Sequence, residues 1–242
     1  LQTSDTYQAV LSKYRAYFLK LFQEQMSGVQ KGKQKEVLEM LDLNLKDFLP
    51  VWQWAIQTQG QQETHLWIYY SLRNKYQEGS VILQQFIDSL DIAASNQQVP
   101  LARLLASRAW LETRLSNHQK TEQLSRRALN IFKSYGEGYE SIRPLISLGI
   151  ALTFKGDYQE ARVHLTEALS SAKYHDALRY TAISTEYMSL LEEHAGNYDQ
   201  AEALIRKALA LNRTLNSYAF EASCLQTLGS LLHRSGRLEE SQ

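Results

Sequence analysis

The run Gly156-Asp157-Tyr158-Gln159-Glu160-Ala161 returns as Gly196-Asn197-Tyr198-Asp199-Gln200-Ala201 and again as Gly236-Arg237-Leu238-Glu239-Glu240-Ser241, an offset of 40 residues each time. A fixed period of roughly 20 to 50 residues constrains a fold strongly, because each copy is one supersecondary unit that buries its apolar face only against its neighbours. A step back of 40 reaches Ser116-Asn117-His118-Gln119-Lys120-Thr121, and a further 42 reaches Asn74-Lys75-Tyr76-Gln77-Glu78-Gly79. Five copies, two of them degraded, therefore cover residues 61–242.

Each column has a physical reading. The Gly, Asn or Ser that opens the motif ends a helix where a left-handed or otherwise non-helical residue is needed. The aromatic two residues later plugs the crevice between helices. The small residue three further on (Gly79, Thr121, Ala161, Ala201, Ser241) lets helices approach, as does the column Ala109, Gly149, Ser189, Gly229. Ala128-Leu129, Ala168-Leu169 and Ala208-Leu209 repeat at the same period, apolar positions at helical spacing. With only 3 Pro and 11 Gly in 242 residues, little interrupts long helices. The spacing predicts helices near 5–27, 35–58, 61–73, 77–94, 100–115, 119–134, 140–155, 158–174, 178–194, 198–213 and 217–234, with another starting at 237. Pro100 and Pro144 fall at helix starts, Pro50 marks a start or a kink, and residues 28–35 form a loop.

The pattern L-G-x(6)-G-[DN]-Y-x-x-A, followed seven residues later by A-L, resembles the tetratricopeptide repeat, with the best matches in the units ending at Ala161 and Ala201. The longer period resembles the sensor arrays of large bacterial signal-transducing ATPases of the kind that includes the maltotriose-responsive transcription activator. Residues 47–56, with Trp52, Trp54, Ala55 and the following Gly60, resemble the stretch that joins the nucleotide-binding and winged-helix part of such ATPases to their repeats. Asp47 and Pro50 depart from it, where Asn and Ala are usual. An amphipathic helix precedes it, with Tyr7, Val10, Leu11, Tyr14, Phe18, Leu21 and Phe22 on one face. The resemblance implies an all-α chain, a right-handed α–α superhelix or tetratricopeptide-like solenoid with an N-terminal helical lead-in. The lead-in occupies 1–60 and the array 61–242, about four full repeats and a truncated fifth. The missing initiator Met and the unfinished last repeat suggest a piece of a larger protein.

Lys and Arg (26) balance Asp and Glu (26), which argues against nucleic acid or an anionic membrane as direct partner. No phosphate-binding glycine loop, zinc spacing or nucleophile elbow occurs, so no catalysis, cofactor or metal is expected of this chain. The single cysteine, Cys224, reads as a buried inert thiol and points to a cytoplasmic setting. His118 occupies the aromatic column and reads as a packing residue, and Lys31, Lys33 and Lys35 as a solvated loop.

A stacked helix-pair array offers a concave groove lined by the first helix of each pair. The resemblance places Arg103, Trp110, Arg114, Arg143, Ile150, Phe154, Glu186, Tyr187, Leu190, His194 and Arg234 in that groove. The middle of the face runs apolar and its edges are charged, which suits an effector or protein segment with an apolar body and polar ends. Packing between neighbouring helices is the competing reading of Trp110, Ile150 and Leu190. The expected function is sensing or interaction within a multidomain ATPase or transcriptional regulator, contacting the other domains of its parent. The alternative is a stand-alone adaptor, and the unfinished C-terminal repeat offers a surface for self-association.

Overall fold

The computed structural model describes residues 5–30, 34–59, 66–136 and 138–234, and among these every regular element is helical. The helices are α1 (Asp5–Gln30), α2 (Gln34–Gln59), α3 (Leu66–Leu72), α4 (Tyr76–Asp88), α5 (Gln98–Arg114), α6 (His118–Tyr135), α7 (Ile142–Lys155), α8 (Tyr158–Tyr174), α9 (Leu178–His194), α10 (Tyr198–Thr214) and α11 (Tyr218–Arg234). A short 3-10 turn, Ser95–Gln97, leads into α5. The chain packs as two compact units, 1–104 and 105–242, divided within α5. The 60/61 boundary expected from the sequence lies outside the described residues.

In the first unit α1 packs along α2. Leu19 is buried with Val51 and Ala55, and Phe18 and Trp54 cover that cluster. The Phe18 ring meets Phe48 edge-on at 5.3 Å, and the Arg15 guanidinium lies 4.4 Å above the Trp54 ring. Trp52 is 1% exposed. Pro50 neither starts nor ends a helix. It lies inside α2 on the exposed side, where water can meet the carbonyl its missing N–H leaves unbonded. Helix α1 runs through Gly28 to Gln30, Gln34 and Lys35 open α2, and the rest of the expected loop, including Lys31 and Lys33, lies outside the described residues. Helix α4 stops at Asp88, short of the expected 94. The reason is Asp91, whose carboxylate accepts the Ala93 N–H at 3.0 Å while its own N–H donates to Gln97 Oε1 at 2.7 Å, an alternative to helical bonding.

The second unit is a stack of helix hairpins. In α6 the buried set Thr121, Leu124, Ser125, Ala128 and Phe132 forms one stripe at helical spacing. Helix α7 is buried from Ile142 to Thr153 without a break, as expected of a helix flanked by α6, α8 and α9. Most of the small columns are buried as the repeat requires: Thr121, Ala161, Ala201, Ala109 and Ser189 are each 0% exposed, Gly229 is half-buried, and Ser241 lies outside the described residues. A Cβ on Gly149 would come within 2.5 Å of Leu165 Cγ, so glycine there sets the approach of α7 and α8.

The turns obey one rule. Asn74, Ser116, Gly156 and Gly196 all have positive φ, as the helix-ending column requires. So do Gly136, Asp176 and Asn216, which end the second helix of each pair and form a further 40-residue column. At six of these turns the residue after the left-handed one donates to the carbonyl five places back: Lys75 to Tyr70 O at 2.9 Å, Asn117 to Glu112 O at 3.0 Å, Asp157 to Leu152 O at 2.9 Å, Ala177 to Ala172 O at 2.8 Å, Asn197 to Glu192 O at 2.8 Å and Ser217 to Asn212 O at 3.0 Å. These are Schellman closures, which satisfy carbonyls that a helix end would otherwise strand. One left-handed residue about every 20 positions thus reverses the chain between successive helices.

Candidate interaction face of the first helices

The first helix of each pair carries a Glu or Leu near its C-terminal end, at 112, 152, 192 and 232. Glu112 and Glu192 are 2% and 0% exposed, and each is met by the asparagine five residues on: Asn117 Nδ2 donates to Glu112 Oε2 at 2.8 Å and Asn197 Nδ2 to Glu192 Oε2 at 2.7 Å. A cation from an adjacent helix completes each site, from α6 for Glu112 and from α8 for Glu192. Lys120 Nζ lies 3.1 Å from Glu112, and Arg162 forks onto both oxygens of Glu192. A buried carboxylate persists only when paired and hydrogen-bonded, and both are. The unit with Leu152 has Asp157 in place of asparagine, so the pattern Glu with Asn and Leu with Asp was readable in the repeats.

The expected groove residues divide into three sets. Trp110, Arg114, Glu186 and Tyr187 converge. The Trp110 ring on α5 meets Tyr187 on α9 edge-on at 6.3 Å, although α7 lies between those helices in the order of first helices. Helix axes pack about 8 to 10 Å apart, so rings two helices away touch only where the shared face curves inward over α7. Glu186 is 6% exposed, accepts the Ser223 hydroxyl of α11 at 2.6 Å, and feels the Arg114 charge. Burial raises its pKa, and the Ser223 and Cys224 hydrogen bonds and Arg114 oppose that rise.

A second set forms an aromatic edge. Phe154, 47% exposed, is stacked on His118 at 4.6 Å and meets His194 edge-on at 5.1 Å. Desolvation holds His118 below the ordinary imidazole pKa. Arg234 reaches Glu193 at 3.2 Å from α11. The motif tyrosines differ: Tyr158 packs against the Leu148–Leu165 cluster, whereas Tyr198 stays 39% exposed.

The third set lies elsewhere, and burial does not separate it from the first, in which Trp110 is 7% exposed and Glu186 6%. Ile150 and Arg143 are 2% and 6% exposed, and Leu190 is half-buried on α9. Arg103 is half-buried and belongs to the first unit. Cys224 is 0% exposed and accepts from Asn212 Nδ2 at 3.4 Å, and burial pushes its thiol up to about 12. At neutral pH it is a protonated packing group. Among the described residues no cluster of three or more His, Cys, Asp or Glu is placed to hold a metal, and no helix is long and apolar enough to cross a membrane.

Residues 101–173 match the tetratricopeptide repeat family model. That segment runs from α5 through most of α8. The whole chain is similar in fold to a Rap protein complexed with competence and sporulation factor, with a TM-score of 0.69 at 12% identity over 96% of this chain and 73% of that one. It is similar to BtubC from P. vanneervenii, with a TM-score of 0.58 at 13% identity over 96% of this chain and 86% of that one. It is also similar to a signal transduction ATPase with numerous domains and a tetratricopeptide repeat sensor from Pyrococcus horikoshii, with a TM-score of 0.56 at 13% identity, 98% of this chain covering 38% of that one. No curated protein sequence matches the chain. These likenesses establish the fold: an all-α chain of tetratricopeptide-like helix pairs with helical segments ahead of them.

Proposed function

We propose that the inward-curving face of α5, α7, α9 and α11 is a non-catalytic binding surface for an effector or a protein segment. The observation that carries this is the convergence of Trp110, Tyr187, Arg114 and Glu186 from alternate first helices. Aromatic rings and an arginine beside a desolvated carboxylate are the kind of group that anchors recognition. A solved Rap protein of similar fold was captured with competence and sporulation factor, which supports a ligand-binding role for this architecture.

The parent context belongs to the same proposal. The Trp52 and Trp54 lead-in and the likeness to the sensor-bearing ATPase support a sensor segment of a multidomain signalling ATPase or regulator, and the proposal that it is bacterial, cytoplasmic and of the maltotriose-activator kind rests on the sequence alone. Ligand binding would then shift the parent between states only by its differential affinity for them. The second reading is a stand-alone adaptor, supported by the likeness in fold to the Rap protein over 96% of this chain.

Peptide display against the full chain tests the binding surface. Peptides enriched by the native protein are expected to bind a Trp110→Ala, Arg114→Glu variant at least about ten-fold more weakly, at unchanged helicity by circular dichroism. Indifference of every enriched peptide to that variant refutes the surface. The gene's upstream sequence decides the parent: without a nucleotide-binding domain there, the ATPase reading falls and the adaptor reading stands.

A further inference from the structure

The inward stripe of α7 is Arg143, Ile146, Ser147, Ile150 and Phe154, at the three- and four-residue spacing of one helix face. Leu148, Gly149 and Leu152 occupy the opposite side, packed towards Leu165 of α8. The middle of the inward stripe is closed to solvent, with Ile146 and Ser147 0% exposed and Ile150 2%. Above it the Trp110 ring from α5 meets the half-buried Tyr187 ring from α9 edge-on.

Ser147 is out of keeping with that apolar floor. Its hydroxyl is buried and has no hydrogen-bond partner among the described residues. Thr153 of the same helix turns its hydroxyl back onto the Gly149 carbonyl at 2.8 Å, as helical hydroxyls can, and Ser147 makes no such bond. A buried hydroxyl left unbonded costs free energy that alanine in its place avoids. Three other buried hydroxyls of the second unit share this condition. Thr121 and Ser125 lie on the second helix α6, and Ser184 lies roughly 100° round α9 from its inward residues Ile183, Glu186 and Tyr187. Ser147 alone among the four faces inward. The charged groups beside it are engaged: Arg143, one turn earlier, has a partner, and Glu186 accepts the Ser223 hydroxyl.

We propose that Ser147 is the specificity-determining residue of the inward face, receiving the phenol hydroxyl of a tyrosine that the bound segment inserts between Trp110 and Tyr187. This role rests on that face being a binding surface, and it names the side chain the surface selects. Two aromatic walls and a floor of Ile146 and Ile150 accept a flat apolar body, and a lone neutral hydroxyl at the bottom matches a single neutral polar tip. A phenol hydroxyl donates and accepts, so it pairs with Ser147 in either sense. The edge-on contact between Trp110 and Tyr187 is exchanged for contacts of both rings with the entering one, so parting them forfeits little.

The test uses the full chain and a displayed library of random peptides. Selected peptides are expected to share one tyrosine. Its replacement by phenylalanine is expected to weaken binding to the native chain at least about ten-fold, and binding to the Ser147→Ala variant by less than about two-fold. Ser147→Ala removes a hydroxyl that bonds nothing in the free chain, so its denaturant midpoint is expected at or above the native one. Selected peptides without a shared tyrosine overturn the role of Ser147, as does a phenylalanine penalty that persists undiminished in Ser147→Ala. If the same peptides still lose affinity for the Trp110→Ala, Arg114→Glu variant, the binding face stands without it. Peptides indifferent to that variant overturn the face and the role of Ser147 together, and so does a library that yields no binder.

Discussion

Helices α7 and α1 are both rich in apolar residues and end differently. Helix α7 has neighbours in α6, α8 and α9 and is buried from Ile142 to Thr153. Helix α1 packs chiefly on α2, and Leu19 is its one apolar residue below a tenth exposed among those with described side chains. Apolar content sets how much surface a helix can bury, but the number of flanking helices sets how much it does bury. A helix inside a stack can therefore carry buried carboxylates, because its neighbours supply cations, whereas a flanking helix spends its apolar excess on solvent.

The largest expected effect tests that claim inside the stack. Arg162→Ala leaves the fully buried Glu192 with only Asn197 and should cost about 3–5 kcal/mol in denaturant unfolding. Glu192→Leu, which copies Leu152 one unit earlier, should cost far less, and similar losses for both would break the account of that pair. Next comes Gly149→Ala, whose Cβ would meet Leu165 Cγ at 2.5 Å. With Leu165 0% exposed and unable to swing outward, a loss of about 1–3 kcal/mol is expected.

Glu186 gives a smaller, pH-dependent effect. Its carboxyl is raised in the folded state mainly by burial, so the folded chain holds its proton over a pH range where the unfolded chain has released it. Stability from this group is present below the unfolded carboxyl value and falls as pH rises through the folded one. Glu186→Gln is therefore expected to raise stability at pH 7.5, by up to about 1 kcal/mol, the size of an ordinary single substitution. The gain should vanish near pH 4, and a gain equal at both values sinks the assignment. Smallest of all, Val10→Ser and Tyr17→Ser on α1 should each change stability by less than about 0.5 kcal/mol, since both already face water. A larger loss would show that this face of α1 is covered after all.

Much of this was legible in the residues. The 40-residue period placed α5 to α11 within a few residues, because glycine, asparagine or serine at 156, 196, 74 and 116 marks a left-handed turn wherever it falls. Gly136, Asp176 and Asn216 carry the same signal less visibly, since Asp and Asn tolerate that conformation without announcing it. Of the groove residues, the sequence could put Trp110 and Tyr187 on first helices but could not show that their rings touch across α7. It grouped Tyr7, Val10 and Tyr14 with Phe18 as one face of α1, and the wheel offers no way to see that α2 covers only half of it.

By itself, then, the sequence determined the helices, their reversal points and the small residues at their crossings. These depend on backbone conformation and local spacing, which each short stretch carries with it. Only the tertiary structure decided which carboxylates are buried and paired, which aromatics meet and which apolar stripe stays open. Those outcomes depend on residues 30 or more positions away, such as Arg162 for Glu192 and Ser223 for Glu186, brought close by the stacking of whole helix pairs.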